Sequence, residues 1–129
     1  MALEVTDVFD RDGYIEVVLK GPYTTAEFPW VYDQVLRAVE GRREPRVLLN
    51  LLAVEGMPSL LDRFLFGQTA SLTLPRTLKL AAVAAEPLLD PQRFGERVAQ
   101  NRGAWVRVFG SMAEAVEWLR NDSELPPQV

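Results

Sequence analysis

Three acids sit where an open α/β sheet would present them to a ligand. Glu55 follows the aliphatic run Val47 to Leu52, Glu86 follows the run Leu78 to Ala84, and Asp90 lies just beyond it. Two carboxylates at the C-terminal ends of strands can share proton donation and acceptance between them. No glycine-rich phosphate loop and no EF-hand spacing accompanies these acids, so solvated loop carboxylates are the plainer reading. The remaining chemistry is narrow. The 129 residues include neither cysteine nor histidine. Disulfides, thiolate nucleophiles, Cys/His zinc sites and a Ser-His-Asp relay are therefore excluded within the chain. No catalytic residue, no metal ligand and no cofactor is expected, and the chain is read as a non-enzyme.

Ser59 is the next residue that could carry chemistry. It stands between an aliphatic strand and an amphipathic segment, in "AVEGMPSLLDRF". A phosphate on it would place roughly −1.5 to −2 charges beside the free N–H groups of a helix N-terminus. As a helix cap its hydroxyl would instead accept one of those N–H groups, worth ~1 kcal/mol, with Asp62 in the first turn helping. Capping explains the residue completely and is preferred over a phosphosite.

Hydrophobic side chains mark the other candidates. Leu60, Leu61, Phe64 and Leu65 form the core-facing stripe of a helix by their spacing, from which Phe66 projects away on the side of Asp62 and Arg63. Leu72 and Leu74 extend the apolar excess, which calls for burial under the same chain or for a contact with a partner, a lipid or a second copy. Trp30 lies almost opposite Phe28, beside Gln34 and Arg37, where a large aromatic could anchor an interface or fold over the preceding loop. The candidate partner- or ligand-binding set is Glu55, Met57, Ser59, Phe64, Phe66 and Trp30.

The elements that must position these residues are legible from periodicity. Leu3 to Phe9 and Tyr14 to Leu19 read as strands joined across Asp10-Arg11-Asp12-Gly13, hence as an antiparallel hairpin. A helix starts between Thr25 and Pro29, after a Thr24/Glu27 capping pair, and stops at Gly41. Val47 to Leu52 reads as a central strand, Ser59 to about residue 70 as a helix, and Leu78 to Ala84 as a buried strand. Asp90-Pro91 opens a helix to about Arg102 with only Phe94 and Val98 as anchors, so most of it should be wet. Trp105 to Phe109 is the last strand, and Ser111 with Glu114 boxes the start of a final helix through Leu119. The expectation is one α/β domain over residues 1–120, in the order β-β-α-β-α-β-α-β-α with a mixed five-stranded sheet, and a flexible tail over 121–129.

The apolar share is 48%, the charged share 25% and the formal net charge −4, which suits a soluble domain. The best basic patch, Arg42-Arg43-Glu44-Pro45-Arg46, reads as a solvated loop, so no nucleic-acid binding is expected. No export signal and no run of ~20 apolar residues is visible, so a cytoplasmic protein without stable membrane insertion is expected.

The segment "RVFGSMAEAVEWL", with support from "GYIEVVLKGPYTTAEF" and "RVLLNL", resembles the SpoIIAA-like family of the STAS superfamily over about residues 3 to 120. The resemblance implies a non-catalytic module that binds a protein partner. In its anti-sigma-factor antagonists one serine, in a D-S-S-G context after the third strand, is switched by phosphorylation. That place falls at Pro58-Ser59-Leu60-Leu61, where Ser59 matches and the flanking Asp, second Ser and Gly do not. Domains of the same architecture, the lipid-transferring CRAL-TRIO proteins, hold apolar ligands. The leading expectation is protein recognition through the loop and helix after the third strand, with homodimerisation through Phe66 as an option. The alternative is a small carrier with Phe64, Phe66, Leu72 and Trp30 lining a pocket.

Overall fold

The aliphatic runs of the chain alternate between two faces of one sheet, and that alternation organises everything else. A computed structural model describes residues 2–43 and 45–127. Strands β1 (Glu4–Arg11), β2 (Tyr14–Pro22), β3 (Arg46–Glu55), β4 (Lys79–Val83) and β5 (Trp105–Phe109) lie side by side in chain order. β1 is antiparallel to β2, and every later pairing is parallel. A hairpin needs only a short turn, supplied by Gly13 at φ 90°, whereas parallel neighbours need crossovers. Helices α1 (Phe28–Ala38), α2 (Leu60–Thr73) and α3 (Phe94–Asn101) provide these, and α4 (Met112–Arg120) closes the chain. The element order is the expected β-β-α-β-α-β-α-β-α in a mixed five-stranded sheet.

Val17, Leu19, Val47, Leu49, Leu80, Ala82 and Val106 face one way and pack under α1, α2 and α3. Leu48, Ala81 and Val83 face the other way and meet Ala115, Trp118 and Leu119 of α4. Both faces of β3 and β4 are thus covered, which is why these strands read as continuous aliphatic runs. β1 is mostly exposed, and its pairing slips between Val5 and Asp7, leaving Thr6 as an extra residue in the ladder.

Local differences from the expectation have local causes. The chain enters α1 through one 3₁₀ turn, Thr25–Glu27, and Pro29 occupies the first turn of the α-helix, where no hydrogen bond is lost. The Thr24 side chain donates to Glu27 Oε1, while Glu27 Oε2 accepts the N–H of Leu3 and ties β1 to that turn. α3 begins at Phe94. Asp90 caps it from outside, Oδ1 accepting from Gln92 N–H and Oδ2 from Phe94 N–H. Far from being wet, α3 buries Gly95, Glu96, Val98 and Ala99.

The basic patch is partly structural. Arg46 begins β3 and donates to the Leu119 carbonyl and to Asp122, while Glu44 falls outside the described residues. Opposite Arg46 on β4, Lys79 is fully buried. Its Nζ donates to the carbonyls of Trp118 at 2.6 Å and Asn121 at 2.9 Å, between the rings of Trp105 and Trp118. The first residues of the expected tail therefore rest against the starts of β3 and β4; Gln128 and Val129 lie outside the described residues.

Candidate functional site

The turn from β3 into α2 is built by a glycine and a cap. Gly56 has φ 144°, and a Cβ there would run into the ring of Tyr23. Ser59 then caps α2: its Oγ accepts the Asp62 N–H at 3.1 Å, and its own N–H donates to Asp62 Oδ2 at 2.9 Å. The Tyr23 hydroxyl donates to the same Oδ2 at 2.7 Å. These hydrogen bonds, led by the Ser59 N–H, hold the Asp62 carboxyl below its ordinary range. Burial, with the Asp62 carboxylate adding to it, pushes the Tyr23 phenol up to about 12. Sequence reasoning found the cap and overlooked the Tyr23 strut, whose only sequence signal is a tyrosine after the Gly21-Pro22 strand end.

Leu60 and Leu61 do not face the core. They are 68% and 64% exposed, and Met57 before them is 81% exposed. The buried stripe of α2 is instead Gly67, Ala70 and, just past its end, Leu74, with Phe66 partly buried beside them. Small residues set this phase: a Cβ on Gly67 would collide with the carbonyl oxygen of Gly95, and one on Gly95 would come within 2.7 Å of the Arg63 carbonyl oxygen. Helix-to-helix contact is so close that glycine faces inward and the leucines of the first turn face out. Phe66, expected to project outward, packs on the core, edge-on to Phe28 and tilted against Tyr32. Tyr32 is buried, and its hydroxyl donates to the Phe66 carbonyl at 2.9 Å.

A cavity of about 430 Å³ opens at the C-terminal end of the sheet, beneath α1, α2 and α3. Leu19, Leu49, Ala82 and Val108 line it from the strands, and Val31, Tyr32 and Phe66 from the helices. Of the four residues expected to line a pocket, only Phe66 does. The Arg102 guanidinium lies over the Phe64 ring at 5.3 Å, Leu72 is 80% exposed, and Trp30 is 37% exposed on α1. Of the three acids first considered, Glu86 and Asp90 border the cavity and Glu55 does not.

The charged part of the lining comprises five carboxylates, of Asp62, Glu86, Asp90, Glu96 and Glu114, and two guanidiniums, of Arg63 and Arg93. Arg63 donates to the Leu88 and Pro87 carbonyls and lies 3.9 Å from Asp90. Glu96, 5% exposed, was not anticipated; its Oε1 accepts the Val108 N–H at 2.7 Å. Backbone hydrogen bonds, above all from Phe94, hold Asp90 below its ordinary range. Asp62 and Asp90 are thus fixed as anions, the reverse of what a general acid at neutral pH requires. Among the described residues no group of three acids could hold a metal ion, and no helix is long and apolar enough to cross a membrane.

This strand order and helix placement recur in solved structures. An anti-sigma factor antagonist from Mycobacterium paratuberculosis superposes with a TM-score of 0.61 at 18% identity, over 92% of this chain and 95% of that one. An uncharacterised DUF3478-family protein from Shewanella loihica, described as having a SpoIIAA-like fold, superposes with a TM-score of 0.52 at 16% identity, over 92% of this chain and 94% of that one. The fold is SpoIIAA-like. No family model matches the sequence and no curated protein sequence matches it, so the likeness lies in the SpoIIAA-like architecture.

Proposed function

We propose that this SpoIIAA-like domain is a non-catalytic recognition module that binds a protein through the β3–α2 turn and the first turn of α2. One observation carries the reading: Met57, Leu60 and Leu61 stand 81%, 68% and 64% exposed on a segment whose backbone is fixed by the Ser59–Asp62 cap and the Tyr23 strut. Burying a leucine from water is worth ~1.5–3 kcal/mol, and a rigid apolar patch loses little conformational entropy on docking. Glu55 and Ser59, both exposed, supply a polar rim. The fold neighbour from Mycobacterium is an anti-sigma factor antagonist, a regulatory protein, and a comparable regulatory role fits this surface. Ser59 serves here as a cap. Binding through this surface, as proposed, requires no modification of Ser59.

The test is paired capture and reconstitution. Purified chain and its Leu60→Lys/Leu61→Lys variant are compared for capture of proteins from native extract, and each captured protein is then titrated back in pure form. The expected result is one partner with a defined Kd, weakened at least ~100-fold in the variant while Tm is unchanged. A partner that binds both proteins equally would sink the reading, as would capture of nothing by either. Sedimentation of the pure chain separates homodimerisation through the same patch, which would appear as a dimer that the variant dissociates.

A further inference from the structure

The cavity behind α2 has a chemistry that the recognition surface does not use. Its volume of about 430 Å³ lies within the ~300–1,000 Å³ typical of small-molecule sites, and its walls are aliphatic and aromatic. Its charge is lopsided, because five carboxylates border it against two guanidiniums. Both guanidiniums are already committed: Arg63 to two carbonyls and Asp90, and Arg93 to Glu96 at 3.8 Å. Glu96 stands out among the acids. Its side chain is 4% exposed, and one oxygen is engaged by the Val108 N–H. The other oxygen has no hydrogen-bond donor among the described residues, and its ion-pair partner Arg93 Nε at 3.8 Å is too distant for one. Because Glu96 lines the cavity, this oxygen keeps acceptor capacity for a donor that enters there.

We propose that this cavity binds a small apolar molecule bearing one ammonium group, its body against Leu49, Ala82, Phe66 and Val108 and its charge toward Glu96. An N–H donor would complete the hydrogen bonding of Glu96, and the excess of carboxylates around the lining favours a cation over an anion. A fatty acid or other apolar anion would meet the same walls and the opposite charge. The apolar residues of the proposed recognition surface, Met57, Leu60 and Leu61, do not border the cavity, although Pro58 and Asp62 of the same turn form part of its wall.

The experiment titrates the whole chain with decylamine, decanol and decanoate, each below its aggregation limit, while amide NMR spectra are recorded. The expected result is saturable shifts of the Gly95, Glu96 and Val108 amides with decylamine, at least ~10-fold weaker binding of decanol, and no binding of decanoate. Glu96→Gln keeps an acceptor for the Val108 N–H and should bring decylamine to the level of decanol. If decanoate binds as well as decylamine, or if decylamine shifts only Met57 to Leu61 and leaves the cavity amides unmoved, the proposal fails. Equal decylamine affinity in a folded Glu96→Gln protein would also overturn it. Should that variant not fold, the ranking of the three probes on the unaltered chain decides alone.

Discussion

One carboxylate oxygen, Oδ2 of Asp62, takes hydrogen bonds from the Tyr23 hydroxyl and the Ser59 N–H, and so joins the end of β2 to the start of α2. Because the folded carboxyl titrates below its usual value, its stabilising effect is complete above the unfolded pKa of ~3.9 and is lost as pH falls through the lower folded value. Melting curves from about pH 6 to about pH 2 should show Asp62→Asn less stable than the parent at the upper end, with the gap closing on acidification. Tyr23 has the opposite sign. Its phenol is raised to about 12, so its contribution is intact below the ordinary value of ~10 and disappears as pH climbs through about 12. Tyr23→Phe should flatten that alkaline limb. Lys79 is a third residue whose role is positional: its buried Nζ holds the carbonyls of Trp118 and Asn121 at the end of α4, and burial lowers its pKa. Hydrogen bonds to a charged group are worth ~1.5–3 kcal/mol, so Lys79→Met should lower stability by about that much in denaturant titration.

Packing of α2 against α3 explains both what periodicity predicted and where it failed. The strands, the helix count and the caps at Ser59 and Ser111 were readable because aliphatic runs, turn glycines and capping serines act locally. The rotation of α2 was not readable. A hydrophobic stripe is weighted by leucines, whereas this helix turns inward through Gly67 and Ala70, whose value lies in their small size against Gly95 and Ala99. The burial of Glu96 escaped for a similar reason, since its partner, the Val108 N–H, belongs to a strand edge that only the assembled sheet creates. Gly67→Ala tests the packing. Helix propensity would gain ~1 kcal/mol, but three atoms with little freedom to move lie within 3.0 Å of the new methyl, and overpacking costs ~1–3 kcal/mol. A net loss of up to about 2 kcal/mol is expected, visible as a lowered Tm, with the exposed Leu60 and Leu61 uninvolved.

Across the whole molecule, the sheet has two outer strands, and they are finished differently. On β5 the side chains of α3 reach over the rim: Glu96 accepts from the Val108 N–H, and Gln100 donates to the Val106 carbonyl at 3.0 Å. β1 instead carries Asp7, Asp10 and Arg11 on exposed positions, with Thr6 as the extra residue in its ladder. That surplus threonine is a guard. A flat outermost strand invites the same strand of another chain to continue its ladder, and a bulge spoils the fit. Deleting Thr6 would leave Val5 opposite Leu19 and Asp7 opposite Val18, so the domain should still fold. Its straightened margin would then template chain-on-chain growth, read as light scattering that rises with concentration where the parent solution stays clear.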